Sequence, residues 1–157
     1  PVSRGLGDVY KRQFLNIASK VADEYEKNYG IYTYFIIVCI RHLGPEKALE
    51  ASRFASQVQD KNVVGFGMAG DETKFNTLDF MRSFDSAKNS GLGTTTHAGE
   101  ICGAKSVDEA IKLGVTRVGH GVRSCESEDT IINLLNENIL LEVCPGSNIA
   151  LGLYFIT

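Results

Sequence analysis

The sequence has no Cys-x-x-Cys pair. Its four cysteines, Cys39, Cys102, Cys125 and Cys144, stand singly, so local spacing builds neither a tetrahedral sulfur site nor a redox loop. Reduced thiols in a cytosolic protein are the expectation. No Gly-x-Gly-x-x-Gly opens a helix, and Gly65-Phe66-Gly67 lies at a strand-like run without that spacing, which argues against a dinucleotide site. No signal-peptide pattern is present, and the longest apolar run, Tyr34 to Ile40, is far too short to span a bilayer. There is no basic patch to recruit nucleic acid or anionic lipid. The net charge of −3, with 43% hydrophobic and 22% charged residues, is that of an ordinary globular domain. The expectation is a cytoplasmic protein with neither a nucleic-acid nor a membrane partner.

What the sequence does contain is a repeated strand-then-helix pattern. Phe14 to Asn28 carries Phe14, Leu15, Ile17, Ala18, Val21, Ala22 and Tyr25 at helical spacing and is closed by Gly30, which predicts an amphipathic helix. Ile31 to Ile40 is almost continuously apolar, as a parallel strand covered on both faces requires. Pro45 suits a first helical position, and Glu46 to Gln59 reads as the next helix. The alternation continues with strands at Asn62–Met68, Leu92–Thr96, Val115–Gly119 and Ile139–Cys144. Helices are predicted at Thr77–Lys88, Val107–Leu113 and Asp129–Asn138, with Ser106 and Glu109 forming a capping box on the second of these. Such alternation implies a parallel sheet with helical crossovers. Residues 1–13, with Gly5, Gly7 and Lys11-Arg12, interrupt the helical stripe and resemble translated adapter sequence. They are expected to be non-native or a disordered terminus, outside a domain spanning 14–157.

Polar residues collect at the ends of the strands. His42, Asp71, His97, Glu100, His120 and Ser147 lie at or just beyond the C-terminal ends of the predicted strands, where parallel architectures place their active sites. His97 and Glu100 are three apart, so the chain must turn after His97 to bring imidazole and carboxylate to one side, and Ala98-Gly99 permits that turn. His120 stands between Gly119 and Gly121, which let the backbone come close to a site. Imidazole is a good borderline zinc donor, and imidazole and carboxyl groups suit proton transfer. Gly70, in Ala69-Gly70-Asp71-Glu72, is either a pocket wall that a Cβ would narrow or a plain turn. Arg41-His42 is assigned a structural or rim role, Glu142 reads as a paired buried acid, and Pro145-Gly146-Ser147-Asn148 as a loop on the active face.

In the order His97-Ala98-Gly99-Glu100, Val118-Gly119-His120-Gly121, Glu142-Val143-Cys144-Pro145, these segments resemble the central and C-terminal part of the adenosine deaminase family. That resemblance implies a partial (β/α)8 TIM barrel and a zinc-dependent hydrolase. It assigns His97 as a zinc ligand and Glu100 as the donor of a proton to purine N1. His120 would contact and orient the nucleophile, and the backbone of Gly70 would contact the ring. The role given to Glu100 requires a proton on the carboxyl, and a dry pocket disfavours the charged form of any carboxyl. The activity implied is conversion of adenosine to inosine and ammonia with one Zn2+, the partner being a small purine nucleoside. Gly67 departs from the family's usual aspartate. Adenine or aminodeoxyfutalosine deamination, or a degenerate paralogue without catalysis, are the alternatives. The other zinc deaminase class needs His-x-Glu and Pro-Cys-x-x-Cys, and neither is present here.

A complete barrel needs eight units and typically about 250 residues, whereas this chain of 157 residues shows only five strand-like runs. It is therefore expected to be a fragment covering the third to seventh strands, with unpaired edges and one bare face. Neither a His-x-His pair nor a late aspartate is present, so the fragment would hold one zinc ligand of four and be inactive alone. Oligomeric state is not legible.

Overall fold

The computed structural model describes residues 6–153. A long helix α1 (Leu6–Tyr29) leads to β1 (Phe35–Ile40) and α2 (Pro45–Gln57). Then follow β2 (Val63–Ala69), α3 (Met81–Asn89), β3 (Gly93–Ala98) and α4 (Ala104–Lys112). The last elements are β4 (Arg117–His120), α5 (Glu128–Asn136), β5 (Leu140–Glu142) and the short α6 (Pro145–Ala150). Short 3₁₀ turns at Arg41–Leu43, Thr77–Phe80 and Val122–Glu126 follow β1, β2 and β4.

The strands form one parallel sheet in the order β1-β2-β3-β4-β5. An open doubly wound sheet reverses its strand order at a switch point, and no reversal occurs here. The helices cover a single face. Cys39, Phe66, Met68, Ala98 and Val118 point from the strands into a core shared with Ala48 and Ala55 of α2, Phe84 and Ala87 of α3, Val107 and Ala110 of α4 and Leu134 of α5. Phe66 and Phe84 meet edge to face with ring centroids 5.3 Å apart. This is one segment of a (β/α) barrel, as predicted.

On the opposite face the register aligns Ile36, Val38 and Ile40 with Gly65, Gly67 and Ala69, and then with Gly93, Thr95, His97, Arg117, Gly119, Leu140 and Glu142. Ile36 and Val38 are 45% and 47% exposed. The expectation that the first strand is covered on both faces is therefore corrected: among the described residues, only one face is covered. The predicted bare face is present. Glu142 is likewise half-exposed rather than buried, although it is paired, accepting from Thr95 Oγ1 at 2.9 Å and lying 3.4 Å from Arg117 NH1.

Other boundaries differ for physical reasons. Strand pairing begins at Phe35, not Ile31, because Phe35 is the first residue with a partner on β2. The predicted break in residues 1–13 is absent from 6–13, which form the first turns of α1; residues 1–5 lie outside the described set. Lys11 and Arg12 lie over the Phe54 ring, so these turns are packed against α2. Only Leu15 and Ala22 of the predicted apolar stripe are buried, while Phe14, Ile17, Val21 and Tyr25 are exposed. The capping box on α4 is also absent. That helix starts three residues earlier, with Gly103 at its N-cap, and Ser106 has another partner.

The aromatic layer beneath the sheet is expected to dominate stability. Phe66→Ala should cost about 3–5 kcal/mol, because a fully buried ring is replaced by a cavity. Urea unfolding followed by far-UV circular dichroism checks this.

Candidate active site

The C-terminal rim of the sheet gathers three chemically active side chains. Gly99, with φ +67°, turns the chain immediately after β3 and returns Glu100 towards His97. His97 Nδ1 lies 4.0 Å from Glu100 Oε2. His120, the last residue of β4, has φ +65°, and Gly121 repeats that value. A non-glycine residue in this region is uncommon and costs energy, and here it carries the imidazole to 3.5 Å (Nε2) from Glu100 Oε1. The two histidine rings meet edge to face with centroids 4.7 Å apart. Gly119 makes room for this arrangement, since a Cβ there would sit 2.7 Å from His97 Cδ2.

Each member is held in a distinct way. Glu100 is 7% exposed. His120 Nδ1 lies 2.9 Å from Asn148 Oδ1, an oxygen that can only accept, which favours the tautomer with its proton on Nδ1 and leaves Nε2 facing Glu100. Asn148 itself is buried in α6, and its Nδ2 has no partner. His97 is half-open to the bare face, yet burial and then the neighbouring His120 push its imidazole below the usual histidine value, against the opposing pull of Glu100, Glu72 and Glu142. A neutral imidazole is the form that ligates a metal. The nearest donor atoms of His97, Glu100 and His120 all lie within 4.8 Å of one another, a nitrogen and oxygen set suited to zinc.

Glu72, two residues after Gly70, underlies the whole arrangement. Its Oε1 accepts from Gly99 N at 2.6 Å, and its Oε2 from the amides of Glu100, Ile101 and Cys102 at 3.1, 2.6 and 2.8 Å. Ser106 Oγ also donates to Oε1. Burial alone would raise this carboxyl, but the hydrogen bonds outweigh it and hold Glu72 below the usual carboxylate range. Arg41, at the end of the first strand, ties the rim in a similar way: it is buried, stacks on Phe80 and donates to Lys74 O, Phe75 O and Thr77 Oγ1. Its predicted structural role agrees with these contacts.

Of the residues singled out in the sequence, the structure brings together His97, Glu100 and His120. Gly70 lies on the same rim with φ +103°, where a Cβ would meet His42 Nδ1 at 3.1 Å, so its backbone conformation alone demands glycine. His42 and Ser147 are exposed on the rim, and Asp71 accepts from its neighbour Thr73. In the sequence Glu72 and Asn148 are legible only as members of loops. The one signal for Glu72 is an acid placed just after a strand end, but its partners lie 27–34 residues away. Asn148 is likewise 28 residues from His120. All four cysteines are free thiols, and no described helix is long and apolar enough to cross a membrane.

Known proteins are similar to this chain in sequence and fold. The chain is 43% identical over 152 residues to an adenine deaminase of Agrobacterium fabrum, covering 96% of this chain and 46% of that protein. It thus spans about half the length of the curated relatives it matches. Among solved structures, the adenine deaminase of Arthrobacter aurescens superposes with a TM-score of 0.79 at 29% identity, over 87% of this chain and 42% of that one. An amidohydrolase of Burkholderia ambifaria with bound zinc superposes with a TM-score of 0.75 at 22% identity, over 81% of this chain and 35% of that one, a likeness of fold. The adenosine deaminase family model matches residues 2–155. With the rim, the barrel segment and this match in agreement, the chain belongs to the adenosine deaminase family.

Proposed function

We propose that the full-length protein containing this segment hydrolyses adenine at C6, releasing ammonia and leaving the 6-oxopurine. The observation that carries the reading is the convergence of His97, Glu100 and His120 within 4.8 Å on the C-terminal rim. Adenine is preferred over adenosine because relatives 41–44% identical to this chain are named adenine deaminase. Adenosine remains the second reading, supported by the family model itself.

In this reading His97 is one ligand of a zinc ion, its half-open and neutral imidazole fitting the metal, and further ligands come from barrel strands beyond these five. When bound, zinc supplies the Lewis acidity that lowers the pKa of a water molecule. The residues of this chain move the protons. Glu100, shielded from solvent, donates to N1 of the ring, which draws electron density away from C6. His120, in the tautomer that Asn148 favours, uses the Nε2 lone pair to orient the attacking water and accept its proton. The backbone at Gly70 lines the ring. Addition at C6 followed by loss of the amino group as ammonia completes the hydrolysis, one water being consumed for each ammonia released.

Two outcomes test the roles and the substrate. In the full-length, zinc-loaded protein, Glu100→Gln should keep its metal and lose about 10²–10⁴-fold in kcat, because the amide preserves shape and cannot deliver the proton. His97→Ala should lose metal and rate together, as read by elemental analysis beside the assay. A nearly active Glu100→Gln removes the proton-donor role. Comparison of kcat/KM for adenine, adenosine, aminodeoxyfutalosine and cytidine should rank adenine first. An adenosine preference selects the second reading, and a cytidine preference overturns a purine substrate altogether.

A further inference from the structure

We propose that Glu72 is a positioning residue for Glu100, acting through the backbone of residues 99–102. The inference rests on the reading of Glu100 as proton donor. Four consecutive amides, from Gly99 to Cys102, and the Ser106 hydroxyl all donate to the two oxygens of this one carboxylate. The Glu100 amide is itself among them. The amide donors come from the loop that follows β3 and the hydroxyl from α4, while Glu72 comes from the loop that follows β2, so the carboxylate fastens one rim loop to the next.

The chemistry of the bonds requires an acid at position 72. A carboxylate accepts only, and its two oxygens, with about four lone-pair sites, are shared among five donors: Gly99 N and Ser106 Oγ on Oε1, and the amides of Glu100, Ile101 and Cys102 on Oε2. Glutamine would turn an NH2 group towards N–H donors on one side of the fan, either to the amides of Glu100, Ile101 and Cys102 or to Gly99 N, which would then keep only Ser106 Oγ at 2.9 Å. Gly99 cannot replace the clamp by stiffness, since its left-handed φ of +67° is reached freely only by glycine and is held here by the contacts around it. The outer side of the loop is fastened too, by Arg123 N to Gly99 O at 3.1 Å and by the Arg123 guanidinium to Ile101 O. Gly99 O shares one planar peptide unit with Glu100 N, and Ile101 O one with Cys102 N, so Arg123 and Glu72 grip the same two units from opposite sides, Glu72 holding the amide side. The Glu100 carboxyl stands 3.5 and 4.0 Å from the two imidazoles, and a displacement of about 1 Å at such a centre costs about 100-fold in rate.

The test uses the full-length, zinc-loaded protein with Glu72→Gln, Glu72→Asp, Glu100→Gln and the double variant Glu72→Gln/Glu100→Gln. Glu72→Gln should lower kcat about 100-fold with KM and zinc content nearly unchanged. Glu72→Asp, which keeps the charge, should recover some of that rate. With Glu100 already replaced, the same change at 72 should cost less than about 3-fold, because the group it positions no longer acts. Hydrogen exchange should quicken at amides 99–102 and stay unchanged in β1 to β4. Equal rate losses in both backgrounds, or exchange quickened across the whole sheet, would overturn the proposal by making Glu72 a general stabiliser. Should Glu72→Gln not fold, Glu72→Asp combined with Glu100→Gln supplies the same comparison: a smaller loss in the Glu100→Gln background supports the proposal, and an equal loss overturns it. An inactive wild-type protein would remove the adenine reading, while the exchange measurement would still decide whether Glu72 holds the loop.

Discussion

A buried carboxylate surrounded by amide donors is the constraint around which the rim is organised. Taking a charge out of water costs several kcal/mol unless the interior replaces its hydration, and the loop after β3 does this for Glu72 with four backbone N–H groups. The same logic recurs around the rim. Arg41, after β1, donates from Nε and one terminal nitrogen to carbonyls of the loop after β2. Arg123, after β4, reaches back to Ile101, and His120, closing β4, meets Asn148 beyond β5. Adjacent rim segments are thereby linked, and the reactive groups inherit positions that none of their own loops could fix alone.

Stability and chemistry occupy different layers of the molecule. The face towards the helices is closed by Phe66, Phe80 and Phe84, all fully buried, and buried hydroxyls there are paired locally, as Ser52 Oγ is with Ser83 O. The rim above is polar, tightly bonded and locally strained, as the φ of +65° at His120 records. Such strain persists only where the surroundings over-determine it. Here they do: Gly121 N donates to Ala98 O at 2.9 Å, Asn148 holds the ring, and Gly119 leaves space beside it.

The repeating architecture is legible in the sequence because each element has a local cause. Period and punctuation mark the helices, apolar runs mark the strands, and Gly99 between His97 and Glu100 announces a turn. The three reactive residues can be found because they stand on short glycine-bearing segments at strand ends. Contacts made at a distance are what the sequence hides. Glu72 looks like any loop acid until the loop after β3 closes over it, and Ser106 resembles a helix cap until its hydroxyl turns to that acid. Likewise the alternation of Ile36, Val38 and Ile40 with less exposed neighbours is hidden, since an apolar run has the same composition whether one face or two are covered.

The glycines of β2 give the open face a further property. A Cβ at Gly65 would lie 3.1 Å from Gly93 O and 3.3 Å from Ile36 Cγ1, and one at Gly67 would lie 3.1 Å from Thr95 Cγ2 and 3.3 Å from Ile36 Cγ2. Side chains from the neighbouring strands already lean over this backbone, so β2 has no independent freedom to acquire one of its own. A residue gained at 67 needs the Thr95 or Ile36 side chain to give by a few tenths of an ångström, and one gained at 65 also meets the backbone carbonyl of Gly93. The shape of this patch is thus set by the side chains of β1 and β3 as much as by β2 itself.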